Sequence, residues 1–254
     1  MLPHQKSKVL LNRHVNLTVI ISDSQKFAFL HVPKCAGTTI RQALLQYDSR
    51  KNHYWLYQKI CISSPGKENI TRIIDKAHLP LKILQRLYPR DYALLFEYST
   101  FATCRHPRKR LISAFFEPRQ ALLKKTQTKS NRAIIATQKI FAEYISELVE
   151  TKHLLNRKFI HAIPQHVFHI NQGKVVTDSI IKLEDQDNGI KRLKAINTIA
   201  ALKSEEALKS KRNKKYIPEE IRLWESLPRE LKSKCESLYQ TDCDFLGYNF
   251  NAET

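Results

Sequence analysis

The sequence predicts an α/β fold built around buried parallel strands. Two stretches carry that prediction. Phe27–Val32 and Thr100–Cys104 are almost wholly apolar runs of strand length, and each leads within a few residues into an amphipathic helical pattern. The length of 254 residues suits one domain of this class, taken as 1–254 with 1–18 as a peripheral N-terminal segment.

In chain order, Leu17–Ile21 reads as an edge strand that feeds the Asp23–Ser24 turn. The stretch KFAFLHVPKCAGTTIRQALLQY, Lys26 to Tyr47, is then strand, loop and helix. Pro33 ends the strand, and Gly37 is expected to supply the freedom of a tight turn. Ile40, Ala43, Leu44 and Tyr47 mark the helical face that packs back on the sheet. Between strand and helix stand Lys34, Thr38 and Thr39: hydroxyl donors and a mobile cation at a helix start, where free N–H groups and the dipole favour an anion. The spacing P-K-C-A-G-T-T is not the nucleotide-hydrolysing G-x-x-x-x-G-K-[ST] pattern, because the lysine comes early. The bland alternative is an ordinary strand–turn–helix with solvated Lys and Thr.

Asp48–Asn69, with Ser63-Ser64-Pro65-Gly66, reads as loop-rich. Leu81, Leu84, Leu87 and Tyr88 share a helical face that Pro89 ends. Arg105 follows the second buried strand at its C-terminal end, where open α/β sheets bind ligands. Pro107 suits a first helical turn, and Leu111, Ala114 and Phe115 form the apolar face behind it. Ser113 lies two turns beyond Arg105, so both can converge on one phosphate, with the guanidinium as a planar fork. Arg105 alone could equally satisfy a helix end or a surface carboxylate. Lys124–Asn131 reads as a polar linker and Asn131–Glu150 as a long helix with Ile134, Phe141, Ile145 and Leu148 on one stripe. A short apolar stretch, Val167–Ile170, and a Gly173 turn lead to Val175–Leu183, which has strand character, and Glu184–Asn188 opens a helix. A basic segment spans Lys203–Lys215, and a last helix carries Leu231, Cys235, Leu238 and Tyr239.

Composition narrows the classes. No apolar run reaches the ~18–20 residues that span a bilayer, and the N-terminus lacks a signal peptide's apolar segment. Five cysteines without a C-x-x-C suggest neither a disulfide framework nor a zinc site, and point to a reducing compartment. The expectation from composition is a cytoplasmic protein. A formal charge of +19 attracts polyanions: nucleic acid, an anionic membrane surface, an acidic polysaccharide or a multi-phosphate ligand.

Four segments in order resemble the carbohydrate sulfotransferases, Golgi-type and bacterial enzymes related to those acting on heparan and chondroitin sulfate, over roughly residues 19–250. H-V-P-K-C-A-G-T-T is similar to that family's 5′-phosphosulfate loop, and R-H-P-R-K-R-L-I-S-A-F-F to its 3′-phosphate element, with His106 in place of the usual Asp or Asn. H-A-I-P-Q resembles its H-x-x-P-Q element, and L-Y-Q-T-D-C-D-F-L-G-Y its C-terminal signature. The resemblance implies a P-loop-like sulfotransferase fold, a central mainly parallel sheet flanked by helices. It implies 3′-phosphoadenosine-5′-phosphosulfate (PAPS) as donor, in-line sulfuryl transfer to a carbohydrate or glycolipid hydroxyl, and no metal, with the Golgi lumen as the alternative location if the chain is a trimmed catalytic domain. Lys34, Cys35, Ala36, Gly37, Thr38 and Thr39 would hold the 5′-phosphosulfate, and Arg105 and Ser113 the 3′-phosphate. Lys34 would also be catalytic, facing the charge that develops on the leaving phosphate.

The acceptor hydroxyl needs a base, and His78, in an A-H-L-P-L stretch resembling the family's G-H-[FL]-P-[YF], is the choice over His31, His53, His161 and Glu97. His161 and Gln165 are placed in the substrate or cofactor cleft, as are Lys211 and Arg212 of the basic segment. The expected partners are an acceptor that can itself be anionic and, peripherally, a membrane, with no specific nucleic acid. An ATP-dependent kinase and a non-catalytic polyanion binder are the competing functions.

Overall fold

The computed structural model describes residues 19–50, 57–64, 67–75, 78–126, 130–151, 158–209 and 222–251, with the backbone alone for 57–64 and 67–75. The chain enters on β1 (Val19–Ser22), turns, and returns antiparallel on β2 (Phe27–Leu30), with Val19 opposite Leu30. α1 (Gly37–Leu44) follows, then β3 (Tyr57–Ser64) and β4 (Lys67–Asp75) as a separate antiparallel ribbon. α2 (Leu81–Leu87) and α3 (Pro89–Leu94) lead to β5 (Ser99–Cys104), which lies parallel to β2 with Phe29 opposite Phe101. α4 (Pro107–Phe116), α5 (Gln120–Thr126) and α6 (Asn131–Glu150) come next. A small hairpin of β6 (Ile170–Asn171) and β7 (Lys174–Val175) precedes β8 (Ser179–Lys182), which is parallel to β5. α7 (Gln186–Ile196), α8 (Thr198–Lys209) and α9 (Arg229–Leu246) complete the order.

The central sheet therefore runs β1-β2-β5-β8, a mixed sheet whose strands are parallel except for the β1 edge. Side-chain alternation sends its apolar residues to both faces. On one face Ala28, Leu30 and Ala102 meet Leu81, Leu84 and Tyr92 of α2 and α3. On the other, Phe27, Phe29, Phe101 and Ile181 pack against Ile40 and Leu44 of α1 and against Leu193, Ala200 and Ala201 of α7 and α8. Each such aromatic removed from water contributes about 2–3 kcal/mol. That two-sided cover is why both strands read as unbroken apolar runs. A third cluster joins α4, α6 and α9 through Phe115, Phe141, Ile145 and Tyr239.

Several boundaries differ from expectation. Asp48–Asn69 is not loop throughout: Tyr57–Ser64 and Lys67–Asp75 pair as the β3–β4 ribbon. The β-branched residues Ile60, Ile62, Ile70, Thr71, Ile73 and Ile74 favour a pleated strand over the loop that their polar neighbours suggest. Pro89 opens α3 from its first position as well as ending α2. Lys124–Thr126 of the expected linker is the last turn of α5, and the strand expected over Val175–Leu183 divides into β7 and β8. α6 spans the residues expected of it. No helix among the described residues is long and apolar enough to cross a membrane.

Candidate active site

β2 and β5 are adjacent and parallel, with Leu30 opposite Ala102, so their C-terminal ends release the chain side by side. His31–Ala36 leaves from one and Arg105–His106 from the other. Gln165 joins the two exits. Its Oε1 accepts the Arg105 N–H at 3.0 Å and the Cys35 thiol at 3.2 Å, while its Nε2 donates to the Arg105 carbonyl at 2.8 Å. The binding edge of the sheet is thereby held as one unit.

The loop into α1 is bent by two residues in the left-handed region, Lys34 at φ 63° and Ala36 at φ 58°. Each costs about 1–2 kcal/mol for an L-residue, a strain typical of binding loops. The helix closes its first backbone bond from Thr39 N–H to the Ala36 carbonyl at 3.0 Å. The earlier N–H groups of Gly37 and Thr38 belong to the unpaired helix start, where an anion is stabilised.

Gly37 itself is not at positive φ, so its expected role as the turn's pivot does not hold. Space is the reason for glycine here: a Cβ would stand 1.9 Å from Cδ2 of the buried His31 ring. Gly37→Ala is expected to cost about 1–3 kcal/mol through overpacking and to displace His31. Thermal unfolding checks it; a melting temperature equal to wild type would refute the close approach.

From His31 a row of side chains runs across the site. The His31 and His78 rings meet edge to face with centroids 4.6 Å apart, and His78 meets His161 in the same way at 4.9 Å. His161 Nδ1 lies 3.1 Å from Glu117 Oε2, and the same oxygen lies 2.5 Å from Lys34 Nζ. The row thus starts behind the anion loop and ends on the loop's own cation.

Each member is held by a different element. His78 sits just ahead of Leu79-Pro80 and α2, and Glu117 follows the last residue of α4. His161 rides a short 3-10 turn, Ile160–Ala162. The fully buried Arg110 donates to the carbonyls of His161 at 2.9 Å, Ala162 at 3.4 Å and Ile163 at 2.6 Å. Tyr239 of α9 adds a hydroxyl bond to the Ala162 carbonyl at 2.6 Å. Asp242, also buried, accepts the N–H groups of Gln165 and His166 at 2.7 and 2.8 Å. Each buried carbonyl or N–H left without its partner would cost about 1–3 kcal/mol, so this turn is firmly placed.

Electrostatics separates the site's groups. Burial, followed by the neighbouring His31 and His161, holds His78 well below the ordinary histidine value, so it is neutral near pH 7. Burial pushes Glu117 up, but the His161 hydrogen bond and the Lys34 charge outweigh it and bring the carboxyl down to about 2. Burial also pushes the Cys35 thiol far up, so this loop cysteine is a packed group rather than a nucleophile. The Arg105 guanidinium is half-buried and has no hydrogen-bond or ion-pair partner among the described residues. Ser113 lies one turn before Glu117 on α4 and so shares the face that reaches Lys34.

The model of the sulfotransferase family matches residues 17–249. The chain belongs to the sulfotransferase family. Neither the curated proteins nor the solved structures yield a match to it. The sulfotransferase is thus an α/β enzyme that transfers a sulfuryl group, and the match runs from β1 past α9.

Within the sulfotransferase, the site residues named from sequence fall into distinct environments. Lys34 to Thr39 and Arg105 follow the adjacent ends of β2 and β5, His78 and His161 join them through the ring row and Glu117, and Ser113 stands on α4 one helical turn before Glu117. Gln165 does not open to a cleft: it is wholly buried and braces the two exits from beneath. Lys211, Arg212 and the alternative base His53 lie outside the described residues. Glu97 is exposed at the opposite, N-terminal end of β5. His106 is buried and bonded to the Asn249 carbonyl at 2.9 Å, so it fastens the C-terminal segment under the sheet. Glu117, Arg110 and Asp242 escaped the sequence reading. A signal existed for Glu117, at one helical turn from Ser113, but a carboxylate next to an anion site does not suggest itself.

Proposed function

We propose that this sulfotransferase takes PAPS as donor and transfers its sulfuryl group to a hydroxyl of a carbohydrate acceptor, a polysaccharide, oligosaccharide or glycolipid, with His78 as general base. One observation carries the reading: the Lys34–Thr39 loop and Arg105 leave the adjacent ends of parallel β2 and β5, and a neutral histidine, His78, stands near that lysine.

The residues fit a donor with two separate phosphate ends. The N–H groups of Gly37 and Thr38 and the Lys34 ammonium suit the phosphosulfate. Arg105, whose fork has no acceptor among the described residues, suits the 3′-phosphate together with Ser113. PAPS supplies a sulfuryl group already activated on a phosphate. Lys34 then offers a charge to the oxygen that becomes negative, an interaction of about 4 kcal/mol at 4 Å in a partly screened site. His78 receives the hydroxyl proton, and its unprotonated state near pH 7 is the state that task requires. The +19 charge favours an acceptor that is itself anionic, or one carried on an anionic membrane surface.

Calorimetry with adenosine 3′,5′-bisphosphate tests the donor. Wild type is expected to bind it at least about tenfold tighter than adenosine 5′-phosphate, and Arg105→Ala to erase that preference, as loss of a charge-assisted contact predicts. Absence of binding by the intact protein would sink the reading, and magnesium-dependent ATP turnover would favour a kinase.

A further inference from the structure

Among the described residues, Glu117 is the carboxylate that touches both ends of this site. Its Oε2 is shared between Lys34 Nζ and His161 Nδ1. Lys34 belongs to the anion loop, while His161 stands against the His78 ring. A single carboxylate oxygen between an ammonium and an imidazole nitrogen is a divided counter-charge: what one partner loses, the other gains.

We propose that Glu117 is a positioning residue that couples the donor end of the site to its histidine end. Without ligand it pairs with Lys34 and His161 together. When a phosphate or sulfate group draws the Lys34 ammonium away, the carboxylate is left to His161, and the imidazole binds a proton more tightly in that position. Among the described residues, the charged and titratable groups around His161 include Glu117 at the end of α4, Lys34 on the loop, His78 before α2 with His31 behind it, and Arg110, whose guanidinium is held on the His161 carbonyl. Of these, Lys34 alone is both next to Glu117 and part of the anion loop. Donor occupancy is the event that changes the balance.

The arrangement also answers a problem of the transfer itself. As the acceptor oxygen forms the new O–S bond, the S–O bond to the donor phosphate breaks and leaves its electron pair on that phosphate, while the acceptor's proton passes to His78. Burial makes that position unfavourable for a cation. A carboxylate released from its lysine, one ring away, is the nearest available counter-charge. Glu117 thus acts through His161 and not on the reacting atoms.

The coupling rests on the donor reading above, and the test separates the two. Adenosine 3′,5′-bisphosphate is titrated calorimetrically into intact protein near pH 7, in two buffers of different ionisation enthalpy, so that proton uptake is read directly. Wild type is expected to take up a fraction of a proton on binding. Glu117→Gln and His161→Asn should bind the bisphosphate without that uptake, and Glu117→Asp should restore part of it. Glu117 is 42% exposed on its side chain, so Glu117→Gln is compatible with the fold, and its melting temperature verifies this. Binding with equal proton uptake in wild type and Glu117→Gln, or with none in wild type, overturns the coupling and leaves the donor reading standing. No binding by wild type overturns both.

Discussion

Lys34→Ala is expected to lower turnover by roughly 10²–10³-fold, the usual cost of removing one fixed donor from a developing negative charge. The geometry makes the lysine hard to replace. Its left-handed backbone, φ 63°, turns the loop so that residue 34 stands beside Glu117 at the end of α4. No neighbouring lysine or arginine occupies that point of the loop. Single-turnover sulfuryl transfer from labelled PAPS is the measurement, with the melting temperature as control, because the variant also strips Glu117 of a partner. Transfer within about threefold of wild type would remove Lys34 from the chemistry.

His78→Asn should reduce kcat by roughly 10²–10⁴-fold while adenosine 3′,5′-bisphosphate affinity stays nearly unchanged. Asparagine keeps much of the imidazole's size but cannot take a proton. The sign of the pH dependence follows from the environment. Since burial and the neighbouring histidines lower the His78 value, its active, unprotonated form persists below pH 6.5, the ordinary histidine value. Rates should therefore hold between pH 7 and 6.5 and fall only at more acid pH. A fall already centred above 6.5, or a His78→Asn variant that transfers sulfate at the wild-type rate, would move the base to another group. His161 is then the next candidate, because Glu117 orients its Nδ1 at 3.1 Å.

Much of the fold was legible because its determinants are local. Phe27–Leu30 is apolar on both faces because helices cover both faces, and the α6 stripe repeats at helical spacing because one side meets α9 and α4. The β3–β4 ribbon was missed where polar residues and Pro65-Gly66 resemble a loop; strand preference depends on what lies alongside, which the chain itself does not display. Gln165 shows the same limit at a single residue. Its motif marks it as important, yet an amide that braces two loops from inside and one that faces a ligand look alike in sequence.

Sequence by itself determined the sulfotransferase's central strands, most of its helices and the two loops after β2 and β5 that it names as anion elements. Periodicity and motif spacing are properties of neighbours along the chain. Tertiary structure decided what those residues do to one another. It showed that His31 fills the space a Gly37 side chain would take, and that Lys34 and Ala36 carry the bend of the loop. It also joined Lys34, Glu117, His161, His78 and His31, drawn from four separated segments, into one row. Burial and charge act through space, so the protonation state of His78 and the divided counter-charge of Glu117 exist only once the chain has folded.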